Sequence, residues 1–171
     1  MRFWHVGIIV KDIEKAAEYY KALPGAEQEW KVSRMSFAPE TCVIGEPYTI
    51  DVAFGFIDGV PHELICPVEG EDSMQMMALK ENGEHIHHLA YIAGEEQDQI
   101  VKNLEAAGAT RIWENNDGVV HCIFMKAKDG GMIYELADVH PDEIVKEDLQ
   151  DRKSTRLNSS HRHTSRMPSS A

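Results

Sequence analysis

Four side chains have the types and the placement to hold a divalent metal ion: His5, Glu63, His88 and Glu135. A histidine at the start of a strand is a weak signal, since most such residues lie at the surface or are hydrogen-bonded. The glutamates say more, because they sit inside the apolar runs HELIC and IYELA. A buried carboxylate costs several kcal/mol unless it is paired, protonated or bound to a metal. Two imidazoles and two carboxylates form a mixed nitrogen and oxygen set that suits one ion of Co, Ni, Zn, Mn or Fe. Such a set leaves coordination positions open for water or substrate. The segment EHIHHLAYIA, residues 84–93, offers three histidines in four positions, so the rest of the chain must select among them.

An internal repeat makes the selection. At an offset of 83 positions His5 falls on His88, Gly25 on Gly108, Ala26 on Ala109 and Trp30 on Trp113. At an offset of 72, PHELI falls on IYELA, so that Gly59 meets Gly131, Glu63 meets Glu135 and Leu64 meets Leu136. The offsets differ because the intervening loops differ in length. Two copies related by a pseudo-twofold axis would bring the two histidines and two glutamates together. Alternation along a strand turns His87 to the face opposite His88, and His85 precedes the strand. Both are set aside as ligands, with a supporting role behind the site left open for His87. His62, His121 and His140 lack repeat partners of their kind.

Each copy reads as strand, helix, then three strands. Residues 5–10 form an apolar run, and Asp12 can cap a helix whose stripe is Ile13, Ala16, Ala17, Tyr20 and Leu23. Pro24-Gly25 ends it. TIDVAFGFI and PHELICP flank Asp58-Gly59, a hairpin signal. In the second copy Ile100, Leu104 and Ala107 give the helical stripe, and VVHCIFMKA and MIYELADV flank Asp129-Gly130-Gly131. A short connector helix is expected, capped by Ser73 and stopped at Asn82-Gly83, with its methionines filling gaps in the packing. The expected organisation is one domain over residues 1–150: module one at about 3–70, a connector at about 71–84 and module two at about 85–140.

Composition limits the function classes. The 171 residues are 43% hydrophobic and 27% charged, as in a globular protein. No apolar run approaches the roughly 18 residues of a membrane helix. The first residues, MRFWHVGIIVKDIEK, pass directly from a short apolar run to charge, so a cytoplasmic location is expected. Cys42, Cys66 and Cys122 are odd in number and form no CxxC pair, which fits free thiols in a reducing compartment. The net charge of −12 argues against nucleic acid and anionic membranes as partners and leaves a small-molecule substrate. Composition changes at Asp151, the only acid against five bases in residues 151–171; without this stretch 12 basic and 28 acidic residues leave −16. The stretch resembles translated adapter sequence and is expected to be a disordered, non-native tail.

Over about residues 3–139 the chain resembles the vicinal oxygen chelate superfamily, which includes glyoxalase I, methylmalonyl-CoA epimerase, extradiol dioxygenases and bleomycin-resistance proteins. HELICPVEGEDS, a short helix, then GEHIHHLAYIA is most similar to the methylmalonyl-CoA epimerase branch. The resemblance implies an α+β fold of two βαβββ modules pairing into a cup around one metal site, with His5, Glu63, His88 and Glu135 as ligands. It also implies a homodimer and, for the epimerase branch, an acyl-CoA thioester as substrate. Glu135 would then be ligand and acid/base. A second acid/base is matched only by Glu46, in GEPYTIDV, where Pro47-Tyr48 replaces the family's residue and glycine. Lys126 and Lys128 are the local positive charges on an otherwise acidic body, and read first as solvated surface lysines.

The implied chemistry is that of a metal-dependent isomerase or lyase working through a stabilised enediolate, with a carboxylate removing the proton. A glyoxalase-I-like lactoylglutathione lyase would use the same ligands. A non-enzymatic binding protein of the bleomycin-resistance kind is disfavoured by retention of all four. An extradiol dioxygenase is disfavoured because Glu63 would crowd the oxygen position.

Overall fold

The computed structural model describes residues 1–139. The expected tail at 151–171 lies outside the described residues. Module one contains β1 (Arg2–Ile9), α1 (Ile13–Lys21), β2 (Lys31–Phe37), β3 (Cys42–Ile44), β4 (Tyr48–Ile57) and β5 (Val60–Glu69). The connector helix α2 (Met74–Asn82) leads to β6 (His85–Ile92), α3 (Gln97–Ala106), β7 (Thr110–Asn116), β8 (Val120–Lys126) and β9 (Ile133–Val139). No helix among the described residues is long and apolar enough to cross a membrane.

Local chemistry accounts for most boundaries. Asp12 accepts the Lys15 amide at 3.1 Å and starts α1, whose Ile13 and Ala17 are buried. Asp58 and Gly59 both have positive φ, 49° and 74°, the backbone of a tight two-residue hairpin between β4 and β5. Ser73 accepts the Met76 amide at 3.3 Å to open α2. Gly83 closes α2 at φ +67°. Of the methionines expected to fill gaps in the packing, Met74 and Met76 are half-buried and Met77 is exposed, and the buried residue of the helix is Gln75.

The described strands form one nine-stranded sheet in the order β2-β4-β5-β1-β6-β9-β8-β7-β3. The two central strands, β1 and β6, are antiparallel. Each has the last strand of its own module parallel beside it, β5 in one case and β9 in the other. The registers agree with the repeat. Gly7 lies opposite Glu63 and Ala90 opposite Glu135, and both pairs are related by the offsets read from the sequence. Val6 pairs with Leu89, its own repeat counterpart, so the local twofold passes between them.

Alternation along β5 and β9 separates core from site. Leu64 packs with Ile8, Val10, Ile13, Ala17, Trp30 and Ala53 on the helix side. Its counterpart Leu136 packs with Ala93, Val101, Ile123 and Met125. Glu63 and Glu135, one residue earlier, therefore face away from the helices. The short strand β3 was not expected. It belongs to module one but pairs with β7 of module two, at the end of the sheet opposite β2. Only residues 38–41 join β2 to β3, so the sheet must curl until its ends approach. Phe37 and Tyr48 each stand 5.1 Å from Trp113, ring centre to ring centre, and seal that closure.

Candidate metal centre

Strands β1 and β6 supply the histidines and their parallel neighbours the glutamates, so the four side chains converge on the concave face. One ligand atom from each of His5, Glu63, His88 and Glu135 lies within 4.8 Å of all the others. His5 Nε2 is 3.1 Å from Glu63 Oε2, 3.3 Å from Glu135 Oε2 and 3.3 Å from His88 Nε2. His88 Nε2 is 3.1 Å from Glu135 Oε2 and 3.9 Å from Glu63 Oε2. Neighbouring ligands about 2.0–2.2 Å from a zinc-sized ion stand about 2.8–3.6 Å from one another in octahedral or tetrahedral arrangement. Four of these five separations match that spacing, the fifth, from His88 Nε2 to Glu63 Oε2, being wider at 3.9 Å, and the two-nitrogen, two-oxygen donor set suits a first-row divalent ion. His5 and His88 are each 1% exposed and Glu135 7%, which leaves these polar groups no solvent to satisfy them.

Electrostatics point the same way. Burial works against protonation of His5, but the Glu63 and Glu135 carboxylates outweigh it and push its pKa up to about 9. Burial would raise the Glu135 carboxyl; hydrogen bonds from His5 and His88 hold it well below the usual carboxylate range instead. Two carboxylates therefore concentrate negative charge where, without a metal, only protonated imidazole can balance it.

Aromatic rings fix the imidazoles. His5 meets Phe54 edge-on at 5.2 Å, and His88 meets Phe124 edge-on at 5.0 Å. Gly7, directly opposite His88, leaves the space that the His88 ring occupies: a Cβ there would fall 2.5 Å from Nδ1 and nearer still to Cε1 and Nε2.

The placement of His87 corrects the expectation from strand alternation. Between Gly7↔His88 and Ile8↔Ile86, β6 advances two residues while β1 advances one. His87 is the extra residue of a bulge, which breaks the alternation. Its ring, only 4% exposed, lies 5.3 Å from that of His88, with the two Nδ1 atoms 3.0 Å apart. Burial, followed by the neighbouring His88 and His85, lowers its pKa to about 3, so it is a neutral imidazole. A matching irregularity on β1, between Phe3 and Val6, seats Trp4 against His5 at 4.6 Å.

Other residues near the centre carried no sequence signal. Cys122 is buried, its Sγ donating to Glu135 Oε1 at 3.4 Å, and burial raises its pKa well above the ordinary thiol value. It is reached because β8 lies beside β9. Tyr48 is also buried; burial raises its pKa, opposed by a hydrogen bond with Gln75, with Glu135, Cys122 and Glu63 adding to the rise. Glu46 is exposed on the segment before β4, where its backbone carbonyl accepts from Trp113 Nε1 at 3.3 Å; it is not part of the four-residue cluster. His62 and His85 bond the carbonyls of Val60 and Gly83. His121 pairs with Glu114 at 2.8 Å. His140 lies outside the described residues.

A profile of the Glyoxalase/Bleomycin resistance protein/Dioxygenase superfamily matches residues 4–125. Among solved structures the chain is similar to methylmalonyl-CoA epimerase from Mycobacterium tuberculosis, with 23% identity and a TM-score of 0.58 over 82% of this chain and 89% of that one. It is similar to methylmalonyl-CoA epimerase of Streptomyces coelicolor, with 24% identity and a TM-score of 0.54 over 81% and 97% of the two chains. It also resembles a mutant of 4-hydroxymandelate synthase from Streptomyces coelicolor, with 17% identity and a TM-score of 0.53 over 81% of this chain and 49% of that one. At these identities the likeness establishes the fold. No curated protein matches the chain.

Proposed function

Because this chain belongs to the glyoxalase/bleomycin resistance protein/dioxygenase superfamily, we propose that it is a divalent-metal-dependent isomerase or lyase that moves a proton beside a substrate carbonyl. Epimerisation of a 2-methylmalonyl thioester is the preferred case. The observation that carries the reading is the convergence of His5, Glu63, His88 and Glu135 within 4.8 Å in a buried cup. When bound, the ion supplies positive charge that stabilises negative charge developing on substrate oxygen.

The remaining chemistry belongs to the chain. Glu135 is held as the carboxylate, the form from which a general base takes the proton of the carbon next to the carbonyl. Its Oε2 faces His5 and His88, while Oε1 has only the weak Cys122 donor. Inversion needs a second group on the opposite face of the substrate. Glu46 is the sequence candidate for it, and Glu63 is the carboxylate that lies beside His5. The Streptomyces coelicolor epimerase of similar fold is known in complex with 2-nitronate-propionyl-CoA, which supports trying acyl-CoA thioesters first.

The test is exchange at the α-carbon of methylmalonyl-CoA in deuterated water, with each of the five metals, for the wild type and for Glu135→Gln, Glu63→Gln and Glu46→Gln. Exchange lost in Glu135→Gln supports the base assignment, and the other two variants decide the second group. Absence of exchange, together with lactoylglutathione formation from methylglyoxal and glutathione, would replace the epimerase reading with the lyase one.

A further inference from the structure

We propose that His87 is a positioning residue, whose Nδ1 accepts the Nδ1–H of His88 and holds that ring in the tautomer that presents the Nε2 lone pair to a metal. The inference rests on the metal reading of the cup. A contact of 3.0 Å between two Nδ1 atoms holds one proton, and which ring carries it decides what the other nitrogen of each ring can do. If the proton belonged to His87, His88 would carry its own on Nε2, the atom 3.1 Å from Glu135 Oε2, and could not ligate. With Nε2 of His88 committed to an ion, the proton must sit on Nδ1 of His88 and point at His87.

The bulge makes this arrangement. Regular alternation would turn His87 to the opposite face; the extra residue in β6 brings both rings to the same side. Phe124 flanks both, 5.0 Å from His88 and 6.4 Å from His87. The other module shows what the site looks like without the device. The repeat counterpart of His87 is Trp4, which packs on His5 but offers its Nδ1 no acceptor, and His5 Nδ1 is buried with no hydrogen-bond partner. The two pseudo-symmetric histidines therefore differ once an ion is bound: His88 then takes its tautomer and orientation from His87, whose own proton sits on Nε2, and His5 is held by packing and by the carboxylates alone.

The experiment uses zinc as the probe and full-length protein labelled with nitrogen-15 at histidine. In the zinc-loaded wild type, a scalar coupling across the hydrogen bond between the two Nδ1 atoms is expected, with the proton on His88. Zinc affinity is then measured by chelator competition for wild type, His87→Asn and His87→Phe. Asparagine places an acceptor near the position of Nδ1 and should retain most of the affinity; phenylalanine keeps the ring packing without the acceptor and should weaken binding about 10–100-fold. A role in packing alone predicts the opposite order. Absence of the coupling, or His87→Phe binding zinc as wild type does, overturns the proposal and leaves the metal reading standing. A wild type that takes up no zinc overturns both. If His87→Phe does not fold, the coupling in the wild type decides.

Discussion

Replacing Gly7 by alanine adds one methyl group to this chain and should disable the proposed metal centre. Gly7 is not among the residues with positive φ, so alanine meets no backbone strain there. The obstacle is the His88 ring. The new Cβ would lie 2.5 Å from Nδ1, where ordinary contact is 3.4–4 Å, so the ring must retreat by about 1 Å or more. Metal–ligand distances tolerate about 0.2 Å. Retreat is opposed by Phe124, 5.0 Å away edge-on, and by the hydrogen bond to His87. The expected cost is about 1–3 kcal/mol of stability from overpacking and at least a 10–100-fold loss of metal affinity. Stability is read by urea denaturation of the metal-free protein, and affinity by chelator competition. A double-mutant cycle isolates the cause: in a His88→Ala background the methyl group has room, so Gly7→Ala should then cost almost nothing. Wild-type metal affinity in Gly7→Ala, or the same stability cost with and without the His88 ring, would refute the reasoning.

The metal-free protein should lose stability as the solution becomes alkaline. His5 rises from an ordinary 6.5 to about 9 in the folded state, so its contribution is complete below pH 6.5 and disappears as pH climbs through 9, by about 3 kcal/mol at most. Glu135 is lowered from 4.5, so its contribution holds above pH 4.5 and fades below it. Denaturation from pH 4 to 9.5 in chelator checks both, and an unchanged alkaline slope in His5→Gln would contradict the first. Adding the preferred ion at 100 times its dissociation constant should stabilise the wild type by about 2.7 kcal/mol; a shift of the same size in His5→Ala would show that the ion binds elsewhere. Leu64→Ala and Leu136→Ala, at repeat-equivalent and fully buried positions, should each cost about 2–5 kcal/mol in urea melts without moving the site.

The sequence by itself carried the repeat, and with it the pairing of His5 with His88 and of Glu63 with Glu135. This was legible because a duplicated module keeps its turns and its inward-facing positions in register even when few residues stay identical. The α1 stripe, the Asp58-Gly59 hairpin and the capped connector helix were legible for a related reason, since each depends on residues close together in the chain. What depended on partners distant in the chain was not. The strand β3 is three residues long and exists because β7 is there to pair with it. The place of Cys122 beside Glu135 follows from β8 lying next to β9, and the space at Gly7 has meaning only opposite His88. His87 makes the point most clearly. Alternation is a property of a strand, but a bulge is a property of a strand pair, so only the register between β1 and β6 could turn the second histidine of EHIHH toward the site.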